Sequence, residues 1–106
     1  MSKREVINKL KKYLLKLNNA GIPIQKAFLY GSYVNGTANE ESDIDVMLVS
    51  EVFGNNDINI KVKAWLFTQD IDSRIEPYTV GLQRFIDDDV SPLLEIVRRE
   101  GLEIMC

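Results

Sequence analysis

There is no histidine in this chain of 106 residues. That absence removes Ser-His-Asp and Cys-His catalysis, and with them the usual zinc ligand sets. Cysteine is nearly missing as well: the single thiol, Cys106, is the last residue. It has no partner for an internal disulfide, reads as an incidental terminal thiol, and suits a reducing compartment. Long apolar runs are missing too, and none approaches the about 18 residues that a membrane-spanning helix needs. The opening "MSKREV" is charged and leads into an amphipathic segment rather than an apolar one, so no signal peptide is expected. The expected setting is the cytoplasm, away from membranes. Finally, excess positive charge is lacking: 13 Lys and Arg stand against 16 Asp and Glu, a net charge of -3. A sequence-blind nucleic-acid binder would carry a basic stripe, so direct nucleic-acid binding is not expected. A nucleotide could still bind if metal ions supplied the missing positive charge.

What is present is an ordinary globular balance, with 45% hydrophobic and 27% charged residues. The length fits one domain over residues 1–106. Helical and extended patterns alternate, which points to a small α/β (α+β) fold with helices flanking a mixed sheet. Ser2 and Glu5 match a capping box, and Val6, Ile7, Leu10, Tyr13, Leu14 and Leu17 recur at helical spacing up to Gly21 and Pro23. The lysines of this helix read as its wet face. Ile24–Tyr30 reads as a strand running into Gly31-Ser32, with a helical turn over 33–38. "DIDVMLVS" is dense enough in apolar residues to be a central strand. A turn at "GNN" precedes a helix from about Asp57 to Asp70, whose apolar stripe is Ile58, Val62, Trp65 and Leu66. Trp65 is expected in the core or at an interface. Arg74–Val80 alternates, and Pro77 suits a sheet edge or a strand break rather than a central ladder position. Ser91 and Pro92 open a last helix that Gly101 ends, and "LEIM" can add a short strand. The "DDD" at 87–89 reads as helix-start acids.

The chemistry is concentrated in "GSYVNGTANEESDIDV", residues 31–46. Alternation along a strand turns Asp43 and Asp45 to one face. Two carboxylates so placed repel each other and resist burial unless they face water or cations neutralise them. Hard divalent ions, Mg²⁺ above all, take carboxylate oxygens together with substrate phosphates. A pair that holds two metals side by side is the two-metal arrangement of phosphoryl chemistry. Gly31 lets a backbone approach a phosphate, a following helical turn aims N–H groups at the anion, and the Ser32 hydroxyl can donate. Alone, a Gly-Ser after a strand reads as a plain turn and a D-x-D as solvated aspartates.

Together they carry more. The spacing G-S-x10-D-x-D, matched at Gly31, Ser32, Gly36, Ser42, Asp43 and Asp45, resembles the signature of the nucleotidyltransferase superfamily related to DNA polymerase beta. The length and element order are similar to the minimal nucleotidyltransferases of that superfamily, over nearly the whole chain. In that family a third acid on a later strand completes the metal site. Glu76 in "SRIEPYTV" occupies that place, where many relatives carry Asp. Arg74, on the same strand face, can contact phosphate or, more in keeping with its position, pair with Glu76. The resemblance implies ATP as substrate and two Mg²⁺ ions on Asp43, Asp45 and Glu76. It also implies that Gly31 and Ser32 hold the β- and γ-phosphates and that Glu76 helps activate an acceptor hydroxyl. It implies as partner a helical HEPN-domain toxin, whose tyrosine receives AMP, so that the chain acts as antitoxin. The alternative reading is a non-catalytic antitoxin that neutralises such a partner by forming a complex. Nothing in the sequence fixes base specificity, and a homo-oligomer is compatible with it.

Overall fold

In the computed structural model, residues 1–55 and 57–105 are described. Asn56 of the "GNN" turn and the terminal Cys106 lie outside them. The first helix, α1, spans Lys3–Asn19. Ser2 caps it as the sequence requires, its Oγ accepting from the Glu5 N–H at 3.1 Å. Strand β1 is Lys26–Tyr30, and Gly31 turns the chain into α2, the single turn Ser32–Asn35. After the polar loop comes β2, Ile44–Ser50. A 3₁₀ turn over Glu51–Asn55 leads to α3, Ile58–Leu66, which tightens into a second 3₁₀ turn over Phe67–Asp70. The expected helix to Asp70 is therefore real, but only its first nine residues are α-helical. Strand β3 is Ile75–Gly81. A short helix that periodicity did not reveal, α4, follows directly over Leu82–Asp87. Helix α5, Pro92–Glu100, is capped by Ser91 and followed by β4, Leu102–Glu103.

The sheet order is β3-β2-β1-β4. β2 pairs antiparallel with β1 and parallel with β3, and β4 pairs antiparallel with β1. The apolar strand is thus central and the proline-bearing strand lies at an edge, where a missing N–H is tolerated. The mixed sheet with helices on both faces is the architecture expected from sequence.

The two faces of the sheet are covered unequally. Ala27, Leu29, Ile44, Val46, Leu48 and Ile75 share one core with Val6, Leu10, Tyr13, Leu14 and Leu17 of α1 and Ala64 of α3. Tyr13 is fully buried, and its hydroxyl donates to the Ala64 carbonyl at 2.6 Å, tying α1 to α3. Burial pushes this phenol well above the usual tyrosine range. The opposite face carries a smaller core of Phe28, Met47, Val49, Val80, Leu94 and Val97. The Phe28 and Phe85 rings stack there at 5.4 Å. Among the described residues no helix is long and apolar enough to cross a membrane.

One polar network ties the layers together. Asp72, just before β3, accepts from Lys9 Nζ of α1 at 2.7 Å and from both Nε and Nη2 of Arg74, at 3.0 and 2.7 Å. Arg74 also donates to the Glu40 carbonyl at 2.8 Å, and its own carbonyl accepts from Ile44 N–H. The expectation that Arg74 pairs with Glu76 is thereby corrected: the nearer carboxylate two residues before it takes the guanidinium. Arg74 serves as a clamp on the loop that leads into β2.

The hydrogen bonds from Arg74, and then those from Lys9, hold the Asp72 carboxyl well below the usual carboxylate range despite its burial. A lowered pKa contributes stability above the ordinary aspartate value of about 4, and that stability is lost as pH falls through the lowered value. Asp72→Asn is expected to cost on the order of 1–3 kcal/mol at neutral pH. Urea melts of the two proteins at a series of pH values should show the difference shrinking steadily in acid.

Candidate active site

The parallel and antiparallel registers meet in one row. Tyr30 of β1 is the partner of Asp45 of β2, and Asp45 is the partner of Glu76 of β3. Partners in register share a sheet face. The next row on that face is Phe28, Met47 and Tyr78, where the small core begins. The acids therefore occupy the end of the less covered face. Asp45 is partly buried there, while Asp43 and Glu76 are exposed. Asp43 lies just outside β2, which begins one residue later than the sequence reading of "DIDVMLVS" placed it.

Glycine at 31 is dictated by this geometry. Its φ of 80° and ψ of -145° fall in a region that side-chain-bearing residues avoid. A Cβ built on it would stand 2.5 Å from Asp45 Oδ2. The carboxylate is thus packed against the bare Cα of Gly31. The first hydrogen bonds of α2 run from the Val34 and Asn35 N–H groups to the Gly31 carbonyl, so the Ser32 and Tyr33 N–H groups precede them. These free donors stand at the end of β1 beside the acidic row. Gly36, at φ 83°, closes the turn in the left-handed region. Ser42 has a structural place: its Oγ accepts from the Asn39 N–H at 2.8 Å and shapes the loop before Asp43.

Electrostatics in the row are repulsive. Burial, then Asp43, then Glu76 push the Asp45 carboxyl above its ordinary value. Burial, Asp45, Tyr78 and Glu76 together push the Tyr30 phenol up to about 12. No cation is paired with this row in the salt bridges of the described residues. Nor do three or more acidic, His or Cys side chains among the described residues close into a ready metal cage. The donor set is nonetheless all oxygen, mutually repelling and open to water, which suits a hard divalent ion. Beside Gly31 a cavity of about 590 Å³ opens between α2 and α5, lined by Tyr30, Val34, Asn35, Leu93, Ile96 and Glu100. Sequence reasoning missed Tyr30 as a member of the site. The signal was available, since it is the last strand residue before Gly31 and alternation puts it on the acidic face once the antiparallel register is known.

Two outcomes follow. Gly31→Ala is expected to cost about 1–3 kcal/mol through backbone strain and the collision with Asp45, measured by thermal or chemical denaturation. Asp45→Asn has the opposite sign. A raised carboxyl pKa costs stability in full above the raised value and costs nothing below about pH 4. In chelator-treated protein at neutral pH the Asn variant should be more stable by about 0.2–1 kcal/mol, the range for facing like charges in a sheet. Its advantage should vanish in acid.

The sequence and the fold both have counterparts among known proteins. A nucleotidyltransferase domain family profile matches residues 7–101. No curated protein matches significantly. Among solved structures, one assigned as a nucleotidyltransferase, from Sulfolobus solfataricus, superposes with a TM-score of 0.65 at 12% identity, covering 95% of this chain and 80% of that one; at that identity it supports the fold alone. A chain from a crystal structure of a toxin-antitoxin with AMP-PNP superposes with a TM-score of 0.59 at 25% identity, covering 93% of this chain and 72% of that one. With the profile spanning α1 through α5 and the glycine-acid row inside it, this chain belongs to the nucleotidyltransferase domain family.

Proposed function

We propose that the protein is a Mg²⁺-dependent nucleotidyltransferase that moves AMP from ATP to a hydroxyl acceptor, a tyrosine of a HEPN-domain toxin, and so acts as its antitoxin in the cytoplasm. The observation that carries the reading is the packing of Gly31 against Asp45 within the row Tyr30, Asp45 and Glu76. It brings phosphate-facing backbone and metal-type carboxylates to one strand end. The family supports nucleotidyl transfer. The AMP-PNP of the toxin-antitoxin relative supports an adenine nucleotide and a toxin partner.

In this reading Asp43, Asp45 and Glu76 hold two Mg²⁺ ions. Ions held there would supply positive charge to offset that on the attacking and leaving oxygens. Gly31 leaves room for the triphosphate, and the Ser32 hydroxyl and the N–H groups of Ser32 and Tyr33 hold its β- and γ-phosphates. Glu76 stands on the edge strand, open to solvent, and orients the acceptor hydroxyl and takes its proton for in-line attack on the α-phosphorus. The bond from the α-phosphorus to the bridging oxygen breaks, and pyrophosphate leaves. Tyr30 remains protonated at neutral pH and flanks Asp45 as a neutral donor.

The test uses α-labelled ATP, Mg²⁺ and a co-purified HEPN partner. Wild type should label the partner, and the Asp43→Asn/Asp45→Asn double variant should lose about a hundredfold or more of that rate. Mg²⁺ with a non-hydrolysable ATP analogue should raise the melting temperature of wild type and not of the double variant. No label transfer by wild type with any NTP would remove the enzymatic reading. A double variant that still silences the toxin in cells would show that complex formation suffices.

A further inference from the structure

The apolar stripe of α3, whose Trp65 the sequence assigns to the core or to an interface, points outward. Ile58, Val62, Trp65 and Leu66 are 70%, 48%, 50% and 52% exposed. Their spacing makes them one ridge along the helix rather than scattered apolar residues. The buried side of α3 is Ala64, with half-buried Ile60 beside it. Ala64 is small and its carbonyl takes the Tyr13 hydroxyl, so α1 approaches α3 at that side. A continuous exposed apolar ridge of this kind marks an interaction surface.

Charge decides between occupants. The charged residues within Ile58–Leu66 are Lys61 and Lys63, and the helical repeat sets them on opposite borders of the ridge. The Lys63 ammonium also stands 6.0 Å from the Phe67 ring, just past the C-terminal end of the helix. The nearby acids are engaged: Asp57 caps the helix on the Asn59 N–H, and Asp70 pairs with Lys16 at 3.1 Å. Two copies packed ridge to ridge about a two-fold axis would set lysines against lysines. A helix with an apolar stripe bordered by Asp or Glu would meet opposite charge on both sides.

We propose that α3 is a docking ridge for an amphipathic helix of another protein whose apolar stripe is flanked by acidic residues. The ridge lies on the α1 side of the sheet, opposite the face of Asp45 and Glu76, so docking leaves the nucleotide site open. The inference does not depend on nucleotidyl transfer and can fail or hold without it.

Trp65 is the sole tryptophan, so its emission reports on the ridge directly. The full chain would be titrated with two designed helical peptides, each with leucines at i, i+4, i+7 and i+11, one flanked by glutamates and the other by lysines. The glutamate peptide should shift Trp65 emission to the blue, saturate, and bind about tenfold or more tighter than the lysine peptide at low salt. Val62→Glu with Leu66→Glu should abolish the shift. Lys61→Glu with Lys63→Glu keeps the apolar ridge and should reverse the preference between the peptides, which separates docking from a folding defect. Equal affinities, no saturable shift, dimerisation of the chain with burial of Trp65, or a shift seen only with phosphatidylserine vesicles would each overturn the proposal.

Discussion

Carboxylates that repel one another are held in a single row of this sheet, and much else in the structure serves to keep them there. Burial, and then the neighbouring Asp43 and Glu76, raise the Asp45 pKa, so the bare protein stores an electrostatic cost at this spot. Directly behind stand Phe28, Met47 and Val49, packed on Leu94 and Val97 of α5. Below lies the larger core of Ile44, Val46 and Leu48. Because side chains alternate, the apolar residues that fix the register of β2 also fix the acids between them. A slip of one residue would bury the carboxylates and expose the core, so hydrophobic packing enforces a placement that electrostatics alone would reject.

The loop that delivers Asp43 to the row is held by a different force. Arg74 reaches across to the Glu40 carbonyl while Asp72 and Lys9 anchor it to α1. This polar clamp is sited beside the acids without being neutralised by them. Had Arg74 paired with Glu76, its guanidinium would have offset part of the negative charge of the row. The Asp72 carboxylate takes the guanidinium, and Glu76 stays exposed with no ion-pair partner among the described residues.

Much of this was legible from residue order. Capping by Ser2 and Ser91, the central character of β2, the edge position of the Pro77 strand and the final β4 all follow from local rules that tertiary contacts did not override. The glycine-acid motif was legible because its spacing is demanded by a turn between two paired strands. What failed was whatever depended on non-local contact. The apolar stripe of α3 has helical period on both readings; which side faces inward was decided by small Ala64 fitting against Tyr13, a choice periodicity does not encode. Arg74 had two acids within reach, and proximity along the chain favoured Asp72. Tyr30 joined the row through strand register, and α4 is too short for its six residues to display a repeat.

The edges of the sheet have a consequence for how this molecule meets others. On one side β3 carries Pro77, which has no N–H to donate, and an exposed charged Glu76 beside it. On the other side β4 is only two residues long. Among the described residues neither border is a long unbroken strand edge. A proline in one edge strand and the shortness of the other work against pairing by strand addition, which favours helical surfaces and the open end of the acidic row as places of contact.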